Sequence, residues 1–114
     1  MEYILGPADD IAPDSSKAYC IDTPDGVLEL FVVHYQGKFY AFENRCPHTG
    51  INLNWQPDQF LNIDHDRIQC ATHGALFRID SGRCEWGPCV GQSLHPLNVL
   101  IKSPQGQELL VLQD

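Results

Sequence analysis

Val27-Leu28-Glu29-Leu30-Phe31-Val32-Val33-His34-Tyr35 runs into Gln36-Gly37, and Lys38-Phe39-Tyr40-Ala41-Phe42 leaves it. The first run is rich in Val, Leu, Phe and Tyr, side chains that suit a pleated, half-buried surface. The second run partly alternates apolar and polar residues. Two such runs around a two-residue turn containing glycine predict a β-hairpin. The hairpin sets the expectation for the whole chain, which is all-β.

The same signs recur downstream in shorter pieces. Phe60-Leu61-Asn62-Ile63 and Arg67-Ile68-Gln69-Cys70 predict two short strands around a turn at Asp64-His65-Asp66. Phe77-Arg78-Ile79-Asp80 predicts another, which Ser81-Gly82 turns into Arg83-Cys84-Glu85-Trp86. Leu97 to Lys102 and Glu108 to Leu112 predict a last pair about Pro104-Gln105-Gly106-Gln107. Pro47, Gly50 and Pro57 interrupt regular structure, so the region from Cys46 to Asp58 reads as loop. No segment sustains a 3.6-residue amphipathic period; single helical turns fit only near Pro7 to Ile11 and near Ile51. The expected organisation is one domain over residues 1–114. In it, residues 1–42 and 89–114 form a β framework and residues 43–88 a smaller insertion.

Charge and composition narrow the function. With 15 acidic and 7 basic residues the formal net charge is −8, so a phosphate backbone or an anionic membrane surface would be repelled. A basic docking surface on a partner protein suits such a chain, and the acidity serves solubility equally well. No stretch approaches the ~20 apolar residues that span a bilayer. The N-terminus, Met1-Glu2-Tyr3-Ile4-Leu5-Gly6-Pro7, lacks the basic and apolar regions of a signal peptide. The expectation is a soluble, cytoplasmic protein. Five cysteines in such a chain point to metal chemistry before disulfides.

Two pairs carry that chemistry. Cys46-Pro47-His48 and Cys70-Ala71-Thr72-His73 each set a thiol and an imidazole close together on a predicted loop, with Gly50 and Gly74 just beyond. Glycine there permits positive φ and close backbone approach. Two Cys and two His suit tetrahedral zinc. They equally suit a [2Fe–2S] cluster in which two histidines replace two cysteines on one iron. Zinc fingers tend to pair Cys with Cys and His with His, whereas each loop here is mixed, so the spacing favours iron.

At these boxes the chain resembles the Rieske family. Cys46-Pro47-His48-Thr49-Gly50 looks like the first box and Cys70-Ala71-Thr72-His73-Gly74-Ala75-Leu76-Phe77 like the second. Gly82 falls where the family has a turn glycine. Gly87-Pro88-Cys89 and Leu94-x-Pro96-Leu97 resemble the segment where soluble Rieske ferredoxins leave the cluster subdomain. The resemblance spans residues 27 to 112 and implies three stacked antiparallel sheets, a three-sheet sandwich with an inserted cluster-binding subdomain. It implies a Rieske-type [2Fe–2S] cluster at the tip, held by Cys46, His48, Cys70 and His73, each histidine binding through one ring nitrogen. High-potential relatives carry a hydroxyl just after the His-Gly of the second box and a Tyr further on. Ala75 and Phe77 stand there instead. Those relatives also pin their two loops with a disulfide, at positions that are Ile51 and Thr72 here. A low-potential, ferredoxin-type centre is therefore expected.

The remaining residues have plainer readings. Cys84 and Cys89 could pair, or one could guard the cluster, and two buried thiols are the plainer reading; Cys20 reads as inert, and His34, His65 and His95, isolated from any cysteine, read as surface or core residues. Trp55 and Trp86 could shield the cluster or conduct electrons, and packing against the loops explains them equally. Asp58, Asp64, Asp66 and Arg45 read as solvated loop charges that could also face a partner.

The resemblance implies a soluble one-electron carrier, not an enzyme. It would pass electrons from a reductase to a terminal oxygenase, since the cofactor supplies the chemistry and the protein sets potential, exposure and docking. The rival reading is a fixed small subunit of a larger reductase, similar to the small subunit of assimilatory nitrite reductase.

Overall fold

The computed structural model describes residues 2–45, 60–62, 64–70, 74–87 and 90–113. The predicted loop from Cys46 to Asp58, the helical turn near Ile51 and Ile63 lie outside the described residues. The architecture is all-β and antiparallel, as expected. Strands β2 (Ser15–Thr23), β3 (Gly26–Tyr35) and β4 (Lys38–Glu43) form a meander. The predicted hairpin is β3–β4, with Tyr35 opposite Lys38 and φ of 52° at Gln36 and 77° at Gly37. Positive φ at both turn residues matches the right-handed twist of the strands it joins.

A second sheet pairs β1 (Glu2–Pro7) with β9 (Leu109–Gln113), and β9 with β8 (Pro96–Lys102). The two sheets meet where β8 touches β4 through Ala41↔Leu97 and Phe42↔Pro96, giving the continuous order β1-β9-β8-β4-β3-β2. A third, smaller sheet contains β5 (Ile68–Gln69), β6 (Leu76–Phe77) and β7 (Cys84–Trp86). Among the described residues there is a 3-10 turn at Ala8–Asp10, within a stretch where a helical turn was expected. No helix among the described residues is long and apolar enough to cross a membrane.

The stacking follows from the parity of β3. Successive strand residues face opposite sides. Leu30 and Val32 join Ala41, Leu110 and Leu112 in one core, while Phe31 and Val33 join Phe42, Phe60, Ile68, Phe77 and Leu94 in another. The middle sheet is thus covered on both faces, which is why Leu30-Phe31-Val32-Val33 is continuously apolar and wholly buried. Phe31 stacks on Phe60 with centroids 4.3 Å apart and planes within 9°. Such a pair adds about 0.5–1.5 kcal/mol beyond area burial. It ties the segment leading to β5 onto the middle sheet.

Predicted short strands are shorter in the structure: Arg67–Cys70 reduces to Ile68–Gln69 and Arg83–Trp86 to Cys84–Trp86. Leu61 makes one isolated bridge to Ile68. The strand placed at Phe77–Asp80 ends at Phe77, because the backbone turns at once: Arg78 N–H donates to Arg83 O at 2.9 Å and Gly82 N–H to Arg78 O at 2.8 Å. The bidentate Arg78–Asp80 ion pair spans the same turn.

Candidate metal centre

Of the four predicted ligands, Cys70 is among the described residues; Cys46, His48 and His73 are not. Trp55, Asp58, Cys89, Ile51 and Thr72 also lie outside them.

Cys70 follows β5 directly and is fully buried. Its backbone is tied twice to the end of the second box, by Cys70 N–H donating to Ala75 O at 2.9 Å and Gly74 N–H donating to Cys70 O at 2.8 Å. Gln69 N–H donates to Phe60 O at 2.8 Å, while Gln69 pairs with Leu76 on the other side. Upstream, Asn62 shapes the predicted turn. Its Oδ1 accepts from the amides of Asp66 and Arg67 at 3.0 Å, and its Nδ2 donates to Asp66 Oδ1 at 2.8 Å. Side-chain bonds of this kind replace the backbone partners a strand would supply. Asp66 is thereby partly used in structure, and Arg67 is paired with Glu85 at 2.7 Å.

The first box is launched from a pinned segment. Glu43 N–H donates to His95 O at 3.0 Å and Asn44 N–H to Glu29 O at 2.9 Å, with Arg45 N–H reaching back to Glu43 O at 2.9 Å. Asn44 is the one buried polar residue among those described, 7% exposed and two positions before Cys46. Sequence reading passes over it, since only its burial distinguishes it from an ordinary loop asparagine.

The described residues packed with Cys70 are apolar. Cys70, Ala75, Phe77 and Cys84 share one core with Ile68 and Ile79. The Cys84 thiol donates to Trp86 O at 3.4 Å. Trp86 is 62% exposed. His34 Nδ1 lies 3.0 Å from Ile11 O and its ring stacks on Phe39; His65 Nδ1 lies 2.7 Å from Asp14 O. Both histidines therefore have structural partners. Cys20 is exposed on β2.

Two thiolates and two imidazoles are the donor set of a [2Fe–2S] cluster with mixed ligation. A buried thiol with its backbone held by two hydrogen bonds and with apolar residues packed beside it suits a soft ligand whose dielectric surroundings tune redox behaviour. The residues present fit such a group.

Comparison with known proteins gives the family. The family model of the Rieske [2Fe-2S] domain matches residues 1–105. Apoptosis-inducing factor 3 of Mus musculus and of Homo sapiens are each 32% identical over 74 residues, which is 65% of this chain. The chain spans 11% of the length of those curated relatives. Among solved structures, the ferredoxin of carbazole 1,9a-dioxygenase from Nocardioides aromaticivorans IC177 superposes with a TM-score of 0.74. It is 23% identical, and the match covers 100% of this chain and 99% of that one. A ferredoxin–oxygenase complex of carbazole 1,9a-dioxygenase gives a TM-score of 0.69 at 24% identity, covering 96% of this chain and 91% of the other. At those identities the likeness is one of fold.

Proposed function

The chain belongs to the Rieske [2Fe-2S] domain family, and from that membership we propose that it is a ferredoxin-type carrier passing single electrons from a reductase to a terminal oxygenase. Cys46, His48, Cys70 and His73 would hold the cluster, one Cys from each box on one iron and one His from each on the other. When bound, the cluster accepts and releases one electron without making or breaking a substrate bond. Residues 43–88 would form the cluster-carrying insertion and the strands on either side its support.

One observation carries this reading: Cys70 is buried and its backbone is tied to Gly74 and Ala75 by two hydrogen bonds, within the residues that the family model spans. The likeness to the ferredoxin of a ferredoxin–oxygenase complex supports the choice of partner. Ala75 and Phe77, both fully buried, bring no side-chain donor to the second box, which supports a potential low in the family range.

Electron paramagnetic resonance of the dithionite-reduced protein tests the proposal. A mixed nitrogen–sulfur cluster gives a lower average g-value than an all-cysteine cluster. A silent sample containing zinc would overturn it. Native mass from the source cell separates a free carrier from a fixed subunit, which would co-purify with its enzyme.

A further inference from the structure

The apolar run on β3 is continuous because both faces of its sheet are covered, and β9 carries the same signature in Leu109-Leu110-Val111-Leu112. Leu110 and Leu112 enter the core shared with β3 and β4. Leu109 and Val111, one position out of step, face the other way. Register fixes their neighbours there: Ile4 on β1 and Leu100 on β8 both pair with Val111. Ile4, Val111 and Leu100 thus form one apolar row across three strands. Its ends are open, with Ile4 69% and Leu100 38% exposed.

A recess of about 520 Å³ adjoins the row, lined by Ile4, Leu109, Val111 and Pro104 and by Glu2 and Lys102. The Lys102 ammonium holds both Glu2 oxygens, at 2.6 and 2.8 Å, from across β9. Glu2 and Lys102 are the charged side chains that these three strands turn outward, and their charges cancel. An antiparallel sheet with one face in water normally turns polar side chains toward it. This face has the composition of a covered one.

A second copy of the same chain fits it. The patch carries a projecting isoleucine beside an apolar recess, and an acid beside a base, so a copy turned about a two-fold axis offers a match for each. That self-complementarity is what an isologous interface requires. A chain of net charge −8 repels its own copies, and a face whose charges cancel is where that repulsion is least.

We propose that the outer face of β1-β9-β8 docks a second copy of this chain. Ile4 of each copy enters the recess of the other, and Glu2 of each faces Lys102 of the other. The third sheet packs on the far side of the middle one, so in both copies the Cys70 end points away from the junction. Three short strands make a small interface, which places the dimer in the weak class. The inference does not depend on the carrier reading.

Sedimentation equilibrium of the cluster-loaded protein, from micromolar to millimolar concentration, tests this. The wild-type average mass should rise toward twice that of one chain. Ile4→Asp and Leu100→Asp should each weaken association roughly tenfold or more. Val27→Asp, at a 63% exposed apolar residue on β3, should leave it unchanged. Glu2→Lys alone and Lys102→Glu alone should weaken it too, because like charges then meet, and mixing the two variants should restore a mixed dimer. The ion pair within each chain is broken in both variants, so only a contact between copies gives that recovery. Should Ile4→Asp fail to fold, Leu100→Asp and the mixture decide. A wild type that stays monomeric at millimolar concentration would overturn the proposal. So would a dimer indifferent to the Asp substitutions, or a mixture that associates no better than its parts.

Discussion

Gly87 lies against Ala75 so closely that a Cβ on Gly87 would stand 2.9 Å from Ala75 Cα and 3.0 Å from Ala75 Cβ. The end of β7 is thereby pressed onto Ala75, whose carbonyl accepts the Cys70 N–H. At φ +111° a side chain at position 87 is also strained. Gly87→Ala is expected to destabilise the protein by about 1–3 kcal/mol, plus whatever the contact adds. Gly91→Ala is the control, because Gly91 has φ +96° and open space around its missing Cβ. Thermal melts should show the larger drop for Gly87→Ala, with faster bleaching of the visible chromophore. Equal drops would mean that backbone strain alone matters and the Ala75 contact does not.

Such contacts are the part of the site that a sequence cannot display. The four ligand candidates are legible because each Cys–His pair is local, and β3–β4 because its strands are long and its turn is Gln36-Gly37. The continuous apolar run at Leu30–Val33 is also legible as strand, but parity alone does not say which core each residue joins. Pairing across the fold decides that. β5, β6 and β7 are two or three residues long, so the turns between them announce the strands while no period fixes their ends. The exposure of Trp86 and the burial of Asn44 depend on residues distant in sequence, and no local pattern announces either.

Gly82 makes the same point where the third sheet meets the middle one. It has φ +74°, and a Cβ there would meet Phe42 Cε1 at 2.7 Å and Leu94 Cβ at 3.3 Å. Phe42 is 2% exposed and has little room to yield. Gly82→Ala is expected to lower stability by roughly 2–4 kcal/mol, combining strain with overpacking. The companion Gly82→Ala/Phe42→Leu, which removes the clashing ring atoms, should restore part of the loss. Denaturant midpoints measure both, and a double variant no better than the single would place the cost in the backbone alone.

Two exposed ion pairs give the acid limb of stability a small, salt-sensitive part. The Lys102 ammonium, hydrogen-bonded to both Glu2 oxygens at 2.6 and 2.8 Å, holds the Glu2 carboxyl below its usual range. Arg78 does the same for Asp80 through its bidentate hydrogen bond. A lowered carboxylate pKa stabilises the fold above the ordinary value, and that contribution is lost as pH falls through the lowered one. Glu2→Gln with Asp80→Asn should therefore flatten the acid limb of the Tm-against-pH curve at low salt. High salt should produce the same flattening in wild type. A double variant whose acid limb overlays that of wild type at low salt would show that neither pair contributes.

Cluster removal should separate the sheets in stability. The core of Leu30, Val32, Ala41, Leu110 and Leu112 contains no proposed ligand, whereas Cys70 belongs to the core of Phe31, Phe60 and Phe77. A ligand bound only by the folded state stabilises what it touches. In chelated, iron-free protein the amides of Cys70 and Gly74 are expected to lose hydrogen-exchange protection, while those along β3 and β9 keep theirs. Uniform loss across all three sheets would mean that the framework needs the cluster to fold.

The reduction potential is the property these residues set most directly. Donors near a cluster stabilise its extra electron and raise the potential. Ala75 accepts the Cys70 N–H through its carbonyl and is fully buried, but its side chain donates nothing. Phe77, two residues on and equally buried, lacks the hydroxyl a Tyr would bring. Wild-type protein should therefore show a midpoint nearer about −150 mV than about +300 mV, the two ends of the family range. Ala75→Ser should move it upward if the hydroxyl reaches a cluster sulfur. A hydroxyl buried without a partner would instead cost about 1–3 kcal/mol, and crowding by Gly87 limits where it can turn. Voltammetry beside thermal melts distinguishes the cases. A raised midpoint with little change in Tm marks position 75 as the lever, and an unchanged midpoint with a lowered Tm shows that the hydroxyl found no sulfur to bond.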